Sequence, residues 1–154
     1  MPKRESRSRT DLEAIIMAKE MPYFKFVRRG GTEYFIGEHT TSDGRFYRLV
    51  LFLDPPYPEK IPNLYVIYPS VLPKYGQGSI NELGNSHAFH TNSNGPDGVV
   101  AICHYSSSEW DTSCTAYGVI IRGLIWLEAY AIHLKTGETI VGIIDKLLKN
   151  AVQH

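Results

Sequence analysis

Four of the nine residues from 54 to 62 are prolines, Pro55, Pro56, Pro58 and Pro62, and this stretch restricts the fold more than any other. Each proline lacks an amide donor and fixes φ, so the segment forms neither helix nor central strand. Residues 46–53 before it are an apolar run too hydrophobic for an exposed edge, and residues 64–68 after it resume strand character. A rigid proline loop joining two strands is predicted. Upstream, residues 23–27 and 32–36 are rich in aromatic and β-branched types around Gly30-Gly31, which reads as a hairpin. Ser42-Asp43-Gly44 supplies a second turn, because Asp and Gly tolerate positive φ. The pattern is a meander of about four antiparallel strands.

Helices flank this meander. Thr10, Asp11, Leu12 and Glu13 fit a capping box, with Leu12, Ile15 and Ile16 on one face, so a helix is expected over residues 10–20, stopped by Pro22. Residues 1–9 carry Lys3, Arg4, Arg7 and Arg9 with no apolar signal core behind them, and read as a flexible basic tail. Residues 69–98 are rich in Gly, Ser, Asn and Pro without a sustained period; loops of this length are functional or disordered, so an active site is expected at the end of this one. Beyond Trp110, Thr112 and Ser113 are candidate N-caps, and Tyr117, Ile120, Ile121, Leu124 and Ile125 follow the stripe of a buried helix. Thr136-Gly137 breaks the chain, and Ile140, Ile143, Ile144, Leu147 and Leu148 form a second stripe with Lys146 and Lys149 outside it. The fold class is α+β: an N-terminal helix, a four-stranded antiparallel meander, an active-site loop and two C-terminal helices, in one domain over residues 1–154.

Lys plus Arg and Asp plus Glu both total 16, so no overall basic field marks a nucleic-acid binder, and no apolar run is expected to span a bilayer. Neither nucleic acid nor membrane is a predicted partner, and a cytoplasmic location is expected. Cys103 and Cys114 are expected to be free thiols. Together with His87, His90 and His104 they supply zinc-ligand types, but Cys103 and His104 are adjacent and rarely face one metal; no metal or cofactor is assigned. The helix start after a glycine-rich turn that a papain-like cysteine requires is missing at Cys103, and Ser106-Ser107-Ser108 reads as a solvated loop.

The order of elements, with a proline loop between the third and fourth strands and a Cys before a Trp and a long helix, resembles the ubiquitin-conjugating enzyme fold over about residues 10–148. Tyr57-Pro58-Glu59-Lys60-Ile61-Pro62 is similar to that family's Tyr-Pro-x-x-x-Pro turn. His90-Thr91-Asn92 is similar to its His-Pro-Asn, with Thr in place of Pro. Ile102-Cys103, then Ser108-Glu109-Trp110 and Thr115, look like its active-site Cys, the Trp beyond and the following helix. The chain differs in a longer path from Asn92 to Cys103, in His104 after the Cys, and in the acidic residue beyond the long helix, for which Glu128 and Glu138 are substitutes. Trp126 to Tyr130 with Thr136-Gly137 looks more like the divergent bacterial members, often encoded beside a ubiquitin-like protein and an activating enzyme, in a prokaryotic or phage-defence setting.

The resemblance implies a transferase in which Cys103 accepts a ubiquitin-like modifier protein from an activating enzyme as a thioester and passes it to an amine of a target protein. A buried structural Cys is the alternative at Cys103. Cys114, in the first turn of the long helix, corresponds to a core position. Asn92 is the oxyanion candidate, set against a turn-forming role in the Asn92-Ser93-Asn94-Gly95 cluster. His90 is either a base or a partner for loop backbone. The first helix is where the family docks its activating enzyme, with Lys19 and Glu20 as contacts. The rival reading is a catalytically inactive binding module for a modifier or partner protein, and a third is a small cysteine hydrolase.

Overall fold

The computed structural model describes residues 2–153, with side chains from Arg9 to Asn150. The meander forms as β1 (Phe24–Arg29), β2 (Thr32–Thr40), β3 (Phe46–Phe52) and β4 (Asn63–Tyr68), all antiparallel. Gly30 and Gly31 turn the first hairpin at φ 57 and 83, values that a Cβ disfavours. The proline loop between β3 and β4 packs inward on Tyr57, which is only 3% exposed.

Two further strands correct the expected number from four to six. β5 (Thr91–Asn92) and β6 (Val100–Ile102) extend the sheet in the order β1-β2-β3-β4-β6-β5. They are two and three residues long, too short to display alternation, and they are recruited by pairing: Leu64 stands opposite Ile102, which stands opposite Thr91. The segment over residues 69–98 is ordered around Asn81, whose carbonyl oxygen accepts from Leu72 N at 2.9 Å while its amide nitrogen donates to Ser70 O at 2.8 Å and Gly98 O at 2.9 Å. Trp126 Nε1 donates to Phe89 O at 2.9 Å, and the Tyr130 hydroxyl donates to Pro73 O, tying the segment to the long helix.

The helices are α1 (Pro2–Glu20), α2 (Ala116–Thr136) and α3 (Ile140–Gln153). α1 starts before the predicted boundary at Thr10 and takes in most of the expected basic tail; Met1 lies outside the described residues. Thr10 is therefore inside the helix and forms no capping box; it is buried, and its hydroxyl donates to Glu33 Oε2 at 3.1 Å. The predicted apolar face of α1 is also turned out: Leu12, Ile15 and Ile16 are exposed, while Met17 and Met21 enter the core. α2 is capped by Thr115, whose hydroxyl accepts from Gly118 N at 3.0 Å, rather than by Thr112 or Ser113, so Cys114 precedes the helix instead of lying in its first turn.

The inner face of the sheet, with Phe35, Leu49, Leu51, Leu64, Val66, Val100 and Ile102, joins one core with α2. The helix presents Ala116, Val119, Ile120, Gly123, Leu127 and Tyr130, a face rotated from the predicted stripe; Tyr117, Ile121, Leu124 and Ile125 are only half-buried. The rotation has a cause at Gly123, where a Cβ would stand 2.5 Å from Leu64 Cδ2: helix and sheet meet closely at a position that has no side chain. By length and composition α2 is apolar enough to cross a bilayer, contrary to the sequence expectation, and half of that stretch is buried in the fold. α3 buries Ile140 and Ile143 but leaves Leu147 and Leu148 exposed, so its stripe outruns its packing.

Candidate functional site

The last pairing of β5 with β6 leads directly to Cys103, whose amide donates to His90 O at 3.0 Å. His90 sits at φ 56, the left-handed region that few non-glycine residues occupy, and strain of this kind gathers at ligand-binding and catalytic positions. Both residues line an open cleft of about 520 Å³ between the Cys103 segment, α2 and α3. Its apolar walls are Ile121 and Ile125 from α2 and Val141, Ile144 and Leu148 from α3; Glu109, Arg122 and Asp145 supply its charges. The Cys103 residue is half-buried.

His104 anchors the chain just past Cys103. Its Nδ1 accepts from the Tyr105 amide at 2.9 Å, so Nε2 carries the proton and donates to Pro62 O at 2.7 Å. Burial drives its pKa down to about 4, so the ring is neutral at pH 7. Trp110 closes the same stretch from the other side, donating from Nε1 to Pro58 O at 2.8 Å and meeting the Tyr57 ring at 6.4 Å between centroids. The middle and the end of the proline loop are thus each tied to the segment that follows Cys103. Arg122 reaches over from α2, donating to His104 O at 2.9 Å, with its guanidinium carbon 3.7 Å from the Tyr105 ring centroid.

Burial pushes the Cys103 thiol up, and the Glu109 carboxylate adds to the shift, so the thiol form prevails at neutral pH. Burial lowers His90, with His87 adding, which leaves a neutral imidazole able to take a proton. The Ser106 amide, donating at 2.9 Å, holds the Glu109 carboxyl below the usual range despite some burial, and Arg122 stands 3.9 Å away. The cleft therefore holds a protonated thiol, a neutral imidazole, a fixed carboxylate and an arginine.

Other predicted residues fall elsewhere. Asn92 is exposed on β5 opposite Ala101 and does not line the cleft. Glu128 binds His39 Nε2 at 2.8 Å and Ser42 N at 3.1 Å, and Glu138 pairs with Lys146 at 2.7 Å; neither lines the cleft. Cys114 and His87 are also absent from its walls. Among the described residues no group of three His, Cys, Asp or Glu side chains is placed to hold a metal ion. The charged residues that sequence reasoning missed are Glu109, Arg122 and Asp145. Arg122 had a signal, as the only charged residue in the apolar run over residues 116–127. Comparison with family models, with curated proteins and with solved structures finds no match for this chain.

Proposed function

We propose that this protein is a thioester carrier of the ubiquitin-conjugating kind, accepting a ubiquitin-like modifier from an activating enzyme on Cys103 and passing it to an amine of a target protein. The observation that carries this reading is the half-buried Cys103 on the wall of an open cleft beside the neutral His90. In the reaction the Cys103 thiol loses its proton, with His90 as the acceptor, and its sulfur attacks the modifier's thioester carbonyl as the activating enzyme's thiolate leaves. The new thioester then stands open to an amine. The raised thiol makes Cys103 a strong nucleophile once deprotonated and, in the later transfer, a slower leaving group.

The cognate activating enzyme, ATP and modifier, named by inspection of the neighbouring genes, should give a thiol-sensitive adduct on non-reducing electrophoresis. Loss of the adduct in Cys103→Ala and its retention in Cys114→Ala support the assignment; the opposite pattern reverses it. A second reading, an inactive module that binds a modifier or partner protein, draws support from the outer sheet face, where Tyr34, Phe52 and Tyr65 line a second cleft of about 490 Å³. A chain that never forms the adduct yet binds the modifier would favour it.

A further inference from the structure

α3 carries a regular apolar stripe, but only its first turns use it for folding. Ile140 and Ile143 are 0% and 3% exposed, whereas Leu148, on the same stripe, is 52% exposed. Val141, Ile144 and Leu148 face Ile121 and Ile125 across the cleft, giving two apolar walls with open space between them. Apolar surface left uncovered in this way beside a reactive group is the usual construction of a site for an apolar ligand. Its volume of about 520 Å³ lies in the ordinary range for sites that enclose small ligands.

The position of Cys103 narrows the choice of occupant. Cys103 and His90 line this same cleft, so an acyl group bonded to Cys103 Sγ starts from its wall. Two of the three charged groups are engaged beside the cleft, Arg122 by His104 O at 2.9 Å and by the Tyr105 ring, and Glu109 by the Ser106 amide at 2.9 Å; the third, Asp145, is exposed on α3. Apart from Asp145, the walls that α2 and α3 leave for a tethered chain are aliphatic.

Resting on the carrier reading above, we propose that the cleft between α2 and α3 selects the acyl group. It takes a bulky aliphatic side chain, of leucine size, from the last few residues of the peptide carried on Cys103. The selected step is thioester exchange. The Cys103 thiolate attacks the carbonyl carbon, the carbon–sulfur bond to the donor's thiol breaks, and that departing thiolate takes up the proton that Cys103 gave up. The pocket binds the acyl part in both thioesters and favours loading of peptides that fill it.

Short synthetic peptides bearing a C-terminal mercaptoethanesulfonate thioester test this on the full chain without an activating enzyme. The peptides are glycine-rich and differ only in a leucine or a serine placed in turn at the second to fifth positions before the carbonyl. Intact-mass spectrometry follows acylation of Cys103 in the Cys114→Ala protein. At one position at least, leucine should raise the second-order loading rate by roughly tenfold or more over serine. Leu148→Ser and Ile144→Ser should shrink that ratio to about threefold or less. Leu148 is exposed, so its variant keeps the fold, which circular dichroism checks. Equal loading of leucine and serine peptides at every position, or a ratio that survives in both variants, overturns the pocket and leaves the carrier reading standing. Failure of every peptide to acylate a Cys103 that iodoacetamide still alkylates overturns the carrier reading and the pocket together.

Discussion

At the scale of single residues, burial controls the chemistry around Cys103. His104 is 4% exposed and its pKa is held near 4, against about 6.5 for a free imidazole. Between those two values the unfolded chain binds a proton that the folded chain refuses, so stability rises with pH across that window and is lost as pH falls through it. Urea denaturation should accordingly show stability dropping by on the order of a few kcal/mol from pH 6.5 to pH 4, with His90, also lowered, acting in the same direction. His104→Gln should begin less stable at pH 7 and lose less over that range; an unchanged slope would assign the acid sensitivity to other groups. Asn92 poses a different case, a residue whose motif is legible but which lies outside the cleft. An oxyanion donor must stand within about 3 Å of the developing charge. Its place on β5 is exposed, two residues beyond His90 and outside the cleft that Cys103 lines. Asn92→Ala should therefore slow single-turnover discharge of the Cys103 thioester to free lysine by less than about threefold, whereas a loss of a hundredfold, the usual cost of a missing donor, would show that the amide swings in.

At the scale of elements, α1 is held to the body by a buried ionic clasp and only partly by apolar contact. Glu13 is 4% exposed; its Oε1 accepts from Ala116 N at 2.6 Å, satisfying an amide at the start of α2, and its Oε2 faces Arg9 Nε at 3.3 Å. Arg9 in turn donates to Thr112 O at 2.7 Å and Cys114 O at 2.6 Å. Glu13→Ala should cost about 1–3 kcal/mol by urea denaturation, because it leaves that amide without its acceptor at the positive end of a helix. Glu13→Gln, which keeps an acceptor oxygen, should cost less; equal losses would mean that charge and not the hydrogen bond is what matters. The same clasp explains why α1 was misread from sequence. Leu12, Ile15 and Ile16 look like a core stripe, but Thr10, Glu13, Met17 and Met21 form the face that packs. β1 to β4 were legible because each shows enough aromatic and β-branched residues between turn signals to reveal its state. β5 and β6 were not, since neither strand is longer than three residues and their formation depends on partners far away in the chain. In α2, apolar on nearly every side, helix was plain but orientation was not, because periodicity cannot choose a buried face when most faces qualify.

At the scale of the whole molecule, the cleft is assembled from segments that are remote in sequence: the end of the 69–98 segment brings His90, β6 leads into Cys103, and α2 and α3 supply the walls. Cys103 and Trp110 could be recognised together because motif order survives in one dimension, whereas the meeting of Arg122 and Asp145 with Glu109 depends on how three elements pack. Trp110 is the joint between the proline loop and this assembly. Its indole donates to Pro58 O at 2.8 Å, and its ring meets Tyr105 at 5.4 Å and His104 at 6.4 Å between centroids. Yet it only packs against the core, half-buried, while Trp126 lies fully inside it. Site order and global stability should therefore separate on substitution. Trp110→Ala is expected to slow thioester formation at Cys103 by roughly tenfold, since small misplacements of a reacting group cost rate steeply. Hydrogen exchange should speed up at the amides from Cys103 to Glu109 while those of β3 and α2 stay protected, because local opening of this segment need not open the sheet. The alternative is equally measurable. A loss of stability of about 3–5 kcal/mol, the scale of a large core deletion, with uniform acceleration of exchange, would make Trp110 a core residue and leave His104 alone to fix the chain after Cys103.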